Sequence, residues 1–295
     1  MGLDINAVQF LIAARKGGVE FGDVLTLGRQ DLNVYPAKMK ALLESHGFSG
    51  AAFAPGAPDT GFAEPVFKSL GAKNVHALDA SDFEGAQFVH DLNEPLPEKL
   101  KQCFDIVYDG GTLEHVFNFP QALKNCMEMV RPGGHLVLHT IANNWSGHGF
   151  YQFSPELFFQ ALNAANGYEL KKMIAHIVGP YGRWFEVSNP ETIRSRVEAI
   201  TFFPLHLLVL ARRTAVVPVF AQTPQQSDYN KRWEDPAAAS AAVGVEQTAW
   251  AAERPSLAKA LPGVARLLHV AKMGFRTYYN LSMRNRRTFR PVKRP

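Results

Sequence analysis

The stretch Ile141 to Phe158, IANNWSGHGFYQFSPELF, gathers side chains able to do chemistry. Two amides, Asn143 and Asn144, stand with Trp145, His148 and Tyr151 around two glycines. Such a mixture at the carboxyl end of a strand suits recognition of a polar ligand. His148 is the candidate general base, because an imidazole that is neutral near pH 7 can accept a proton. A plainer role competes with it. Asn143, Asn144 and His148 can hydrogen-bond the loop to itself, while Ser154 caps a helix that has Pro155 at its first position. His115 reads as a packing or hydrogen-bonding residue, and His139, inside a strand, as a satisfied core residue. Tyr181 and Arg183-Trp184, after Gly179-Pro180, either reach over a pocket or cover an edge. No CxxC or HExxH spacing signals a metal site.

These groups need a frame. FDIVYDGGTLEHV, Phe104 to Val116, contains the apolar run Ile106-Val107-Tyr108, which stops at Asp109-Gly110-Gly111. A second run, Leu136-Val137-Leu138, is launched from the turn Pro132-Gly133-Gly134. Between them, Ala122, Leu123, Cys126, Met127 and Val130 recur at helical spacing within Pro120 to Val130. Strand, turn, helix, turn and strand make a βαβ unit. Open parallel sheets bind small molecules at the carboxyl ends of their strands, so Asp109 to Glu114 are expected to line a pocket.

At these residues the chain resembles class I S-adenosylmethionine-dependent methyltransferases. FDIVYDGGTLEHV, a helix, RPGG and a strand look like that family's fourth and fifth strands. HALDAS, His76 to Ser81, resembles the second strand with its terminal acid Asp79. FVHDLNEPLP, Phe88 to Pro97, resembles the third strand with its acidic turn, and FPLHLLVLAR, Phe203 to Arg212, the apolar last one. One piece departs. The family's first strand ends in a GxGxG-like loop, whereas Asp23 to Leu27 runs here into Gly28-Arg29-Gln30-Asp31. From Gly28 to Asp79 is 51 residues, against about 20 in a dinucleotide-type unit. The extra length, an insertion over 33–60, holds an expected helix from Pro36 to His46, and a second helix is expected from about Phe62 to Leu70.

The resemblance implies a Rossmann-like α/β fold: a seven-stranded, mostly parallel sheet with helices on both faces. It implies S-adenosylmethionine as cofactor. Asp79 would bind the ribose hydroxyls, and Asp91 or the Leu92 backbone the adenine edge. Gly28 would allow close approach to the methionine part, and Asp109-Gly110 would form the floor near the sulfonium. Asn143, Asn144 and Tyr151 fall on the substrate side, with His148 as base. Strand-end turn capping is the alternative for Asp79 and Asp91.

Composition agrees with an enzyme that has a substantial core: 295 residues, 46% apolar. Two cysteines make no disulfide framework, which suits a reduced, cytoplasmic setting. Charge divides the chain. No acidic residue follows Glu253, and 11 Lys or Arg lie between Arg254 and Pro295, leaving −7 on the first 253 residues. The expected organisation is an N-terminal helix within 1–20, a methyltransferase-like domain over 21–221, a connector over 222–253 and a basic tail over 254–295. In the tail, Leu257 to Tyr279 can form an amphipathic helix with Leu261, Val264, Leu268, Ala271 and Phe275 on one side. It suits either docking on an anionic membrane surface or folding back on the acidic body.

Three functions compete. The first is methyl transfer to an O- or N-nucleophile of a small-molecule or glycan-type acceptor. The second is a methyltransferase-like scaffold without activity. The third is a nucleic-acid methyltransferase using the tail as a clamp. Against nucleic acid as partner, Asp109-Gly110-Gly111-Thr112 stands where many base-methylating enzymes carry an Asn/Asp-Pro-Pro-aromatic signature.

Overall fold

The computed structural model describes residues 2–179, 182–227, 262–275, 278–279 and 281–295. Tyr181, most of the 222–253 connector and Leu257 to Leu261 lie outside the described residues.

One mixed sheet organises the chain. Its strands are β1 (Asp23–Leu27), β2 (Asn74–Asp79), β3 (Phe88–Val89), β4 (Phe104–Asp109), β5 (Val130–Asn143), β6 (Tyr168–Ile177), β7 (Trp184–Val187), β8 (Leu205–Arg213) and β9 (Phe289–Val292). The spatial order is β3-β2-β1-β4-β5-β8-β6-β7-β9. The first five strands run parallel. β8 is antiparallel to both β5 and β6.

The expected seven strands are present and two more extend the sheet. β7 pairs antiparallel with β6, and β9 with β7. β9 comes from the basic tail, so the last residues fold back onto the body and 254–295 is not wholly an appendage. Phe289 is fully buried there, which supplies an apolar anchor that counting charges misses.

Strand alternation explains the two cores. Successive side chains point to opposite faces. Val24, Ile106, Val137, Ile174 and Leu208 join one core with Val8, Leu11 and Ile12. The latter sit on α1 (Ile5–Lys16), and the same face receives α2 (Pro36–Ser45) and α3 (Glu64–Ser69). Leu25, Val107, Leu136, Leu138 and Val209 join the other core with α4 (Phe119–Met129) and α5 (Pro155–Ala161). α2 and α3 supply the extra length between β1 and β2. α6 (Pro190–Ile193) follows β7, and α7 (Pro262–Phe275) lies in the tail with Val264, Leu267, Leu268, Val270, Met273 and Phe275 exposed. Among the described residues, no helix is long and apolar enough to cross a membrane.

Candidate active site

The carboxyl ends of β1, β2 and β4 converge. Gly28 follows β1 with φ +69°, a conformation that costs glycine little and other residues more. A Cβ there would sit 3.5 Å from Thr112 Oγ1 and 3.6 Å from Asp79 Oδ2. Gly28, Asp79 and Thr112 therefore face one space. The Gly28 N–H donates to Leu78 O at 2.7 Å, and Thr112 Oγ1 donates to Leu27 O at 2.8 Å, which fixes the loop against both neighbouring strands. Asp79 is half-buried at the end of β2, and Ser81 N–H donates only weakly to its Oδ1, at 3.4 Å.

The remodelled loop uses side chains where a glycine-rich loop uses backbone. Gln30 is buried. Its amide Nε2 donates to Leu27 O, while its Oε1 has no partner. That oxygen occupies the place a Cβ on Gly110 would take, so Gly110 must be glycine because Gln30 fills the gap between β1 and β4. Arg29 turns outward, where its Nε donates to Glu64 Oε1 at 2.6 Å and its guanidinium lies 3.8 Å from the Phe62 ring centroid. The loop is thereby tied to the start of α3. Nothing in the sequence around Gln30 distinguishes it from a surface loop residue.

Asp91 and Leu92 sit differently. Asp91 is exposed, and its Oδ1 accepts from Asn93 N–H at 2.9 Å and Asn93 Nδ2 at 2.7 Å. Those bonds to Asn93 hold its carboxyl below the usual carboxylate range. This is the turn-capping geometry that stands as the alternative role. The Leu92 side chain is buried in the α4-side core, and its carbonyl accepts from Asn125 Nδ2 at 3.1 Å.

Two buried carboxyls lie at the end of β4. Asp109 Oδ1 accepts from Thr112 N–H at 2.8 Å and Leu113 N–H at 3.3 Å, which caps the short turn Leu113–His115. Its Oδ2 has no partner. Glu114 Oε2 accepts from Thr140 Oγ1 at 3.1 Å, and its Oε1 is unpartnered. Burial pushes Asp109 up to about 6. Burial, and then the neighbouring Asp109 charge, push Glu114 up to about 8. At neutral pH Glu114 is therefore largely protonated, and the two groups do not both carry charge.

Glu114 also holds the acceptor-side loop. Its carbonyl accepts from Phe150 N–H at 2.8 Å and Tyr151 N–H at 3.2 Å. His148 lies against this anchor, its ring 5.2 Å from those of both His115 and Trp145. His148 Nε2 is buried without a partner. His115 is kept neutral by its partial burial and by His148.

Asn143, Asn144 and Tyr151 are already engaged. Asn143 Nδ2 donates to Ala199 O at 3.1 Å, and Asn144 Nδ2 to Thr201 O at 2.6 Å. Both amides latch β5 to the segment before β8. Tyr151 OH donates to Phe117 O at 2.7 Å. Ser154 Oγ accepts from Glu156 N–H at 3.3 Å at the start of α5. Beyond the latch lies an open cavity of about 800 Å³ lined by Ile177, Phe185, Phe203, Met283 and the arginines Arg183, Arg284 and Arg286, among others. Trp184 points elsewhere: it is buried, and its Nε1 donates to Asn6 Oδ1 at 3.0 Å.

Residues 60–138 match the family model described as methyltransferase domain. Over that stretch the chain is similar to a methyltransferase domain. The matched stretch runs from the approach to α3 into β5 and includes Asp79, Asp91, Asp109 and Glu114, but not Gly28. No curated protein matches the sequence. Among solved structures, the chain is similar to the branched-chain polyamine synthase of Thermus thermophilus, with 16% identity and a TM-score of 0.35. That match covers 75% of this chain and 61% of the synthase, so the chain spans about three fifths of that protein. It is also similar to the 1,6-didemethyltoxoflavin-N1-methyltransferase of Burkholderia thailandensis, whose structure holds S-adenosylhomocysteine. Identity there is 15%, with 72% of this chain and 80% of the other covered and a TM-score of 0.38.

A domain of the matched kind implies S-adenosylmethionine, and the residues present fit it. Asp79 offers a carboxylate to a diol, and Gly28 carries no side chain beside it.

Proposed function

We propose that this protein transfers a methyl group from S-adenosylmethionine to an oxygen or nitrogen of a small-molecule acceptor. The observation that carries the reading is the convergence of Gly28, Asp79 and Thr112 on one space at the strand ends, inside or beside a matched methyltransferase domain. When bound, the cofactor supplies an electrophilic methyl on sulfonium sulfur. Asp79 would hold the ribose hydroxyls, and Gly28 would allow close approach of the methionine part. Asp109 shapes the floor by capping the Leu113–His115 turn. Positioning of the two reactants supplies most of the rate gain in such a displacement.

On the acceptor side, His148 takes the proton from the attacking group. The place of His148 in a cluster with Glu114 and His115 supports this role. An acceptor with an apolar body and an anionic group suits the cavity beyond the Asn144 latch, where Phe185, Phe203 and Met283 meet three arginines.

A scaffold without cofactor is the second reading. It is favoured by the Gln30 side chain, which fills the gap beside Gly110. Calorimetric titration with S-adenosylhomocysteine decides between them. Saturable binding that weakens in Asp79→Ala supports the transferase, and no binding at millimolar ligand supports the scaffold.

A further inference from the structure

Three histidines from three neighbouring strands meet on the α1 face of the sheet. His139 shares its face of β5 with Val137, His206 its face of β8 with Leu208, and His176 its face of β6 with Ile174. His176 pairs directly across from His206. His139 lies diagonal to it, two residues before Ile141, which is the partner of His206 on β5. Ring centroids are 4.9, 5.3 and 5.7 Å apart. One ring nitrogen from each lies within 4.8 Å of the others.

The cluster is buried and incompletely satisfied. Exposures are 2%, 0% and 4% for His139, His176 and His206. His139 Nε2 and His206 Nδ1 share one hydrogen bond at 2.9 Å, and His176 Nδ1 makes a long contact of 3.3 Å with Ile177 O. His139 Nδ1, His176 Nε2 and His206 Nε2 have no partner. Three buried imidazoles that together make so few hydrogen bonds, each with one nitrogen close to the others, fit a common partner.

We propose that His139, His176 and His206 bind a divalent transition-metal cation of the zinc class. Three imidazoles with a fourth position open are a known donor set for such ions, and nitrogen ligands disfavour magnesium and calcium. Imidazole ligates when neutral. All three rings are buried, and burial disfavours the charged imidazolium. The Asp4 carboxylate acts electrostatically on both His139 and His176, which offsets the charge a cation brings into the layer. The site is independent of the methyl-transfer reading, because Glu114 and Thr140 lie on the opposite face. A cation here would cross-link β5, β8 and β6. It would also act on the acceptor loop, since Trp145 stacks on His206 at 5.1 Å.

The test uses the full-length protein, stripped with a chelator and titrated with Zn²⁺ by calorimetry and with Co²⁺ by visible absorption. The expected result is one equivalent bound, with a Co²⁺ spectrum of tetrahedral or five-coordinate nitrogen ligation and a thermal midpoint that rises with free Zn²⁺. His176→Asn and His206→Asn should each weaken binding by about 100-fold or more, beyond the loss typical of outer-sphere changes. His115→Ala and His148→Ala test the second cluster, Glu114, His115 and His148, and should leave the affinity in place. Failure of stripped wild-type protein to bind either ion overturns the proposal, whatever the variants do. So does binding lost in His115→Ala or His148→Ala but kept in His176→Asn.

Discussion

At the scale of single residues, the site depends on how each polar group is satisfied. Asp79 has an oxygen free for a ligand, so Asp79→Ala should weaken S-adenosylhomocysteine binding by about 1.5–3 kcal/mol, measured by calorimetry. Unchanged affinity would remove Asp79 from the site. If His148 is the base, His148→Gln should lower turnover about 10²- to 10⁴-fold with cofactor affinity intact. Glu114 gives a pH test. Its folded carboxyl is raised from 4.5 to about 8, so the folded state binds more protons than the unfolded state between those values. Stability must then fall as pH rises through that window. Denaturant midpoints of wild type relative to Glu114→Gln should therefore drop from about pH 4.5 to about 8. A flat difference curve would show that Glu114 titrates normally. Of these residues, Asp109 was legible in the sequence because it ends an apolar strand run at a turn, and Asp79 through the resemblance of HALDAS to the family's second strand. Gln30 and the three histidines were not. The role of Gln30 depends on Gly110 across the sheet, and His139, His176 and His206 meet only through strand register.

At the scale of elements, α4 shows how one side chain can terminate a helix. The last carbonyls of a helix lack internal partners. Arg213, on β8 and 2% exposed, donates from Nη1 to Met127 O at 3.2 Å, Glu128 O at 3.0 Å and Val130 O at 2.6 Å. A cation there also complements the helix dipole. Arg213→Met should cost about 2–4 kcal/mol in chemical denaturation, and Arg213→Lys should recover only part of it, because an ammonium lacks the second donor, Nε, that reaches Ala215 O at 3.3 Å. Equal stability of all three proteins would mean the carbonyls are satisfied by water. The helices themselves were legible from spacing and termini: the expected Pro36 to His46 and Phe62 to Leu70 appear as Pro36–Ser45 and Glu64–Ser69. β7 and β9 were not, since WFEV and FRPV are four residues each and carry no repeated alternation.

At the scale of the whole molecule, the chain ends inside its own sheet. Phe289→Ala should destabilise the protein by about 3–5 kcal/mol, as for other buried aromatic truncations, although it lies six residues before Pro295. A change within error would mean that the tail is only loosely applied. Net charge made this outcome readable in part, since a tail of +11 faces a body of −7. Charge could not indicate which residues dock. That depends on one phenylalanine and on a neighbouring strand with unused hydrogen-bonding groups.

The sheet's two borders follow from this arrangement. A strand with one side open is a template for another chain, and proteins blunt such strands with shortness, proline or charge. β3, at one border, is only two residues long. β9, at the other, places Arg290 and Pro291 in four residues and is followed by Lys293 and Arg294. Proline cannot donate to an incoming strand, and the cations repel a second copy of themselves. Without β9 the border would be Trp184-Phe185-Glu186-Val187, three of whose side chains are buried and apolar. β9 thus works as a guard against self-assembly: its loss would leave a chain prone to stack edge to edge into aggregates.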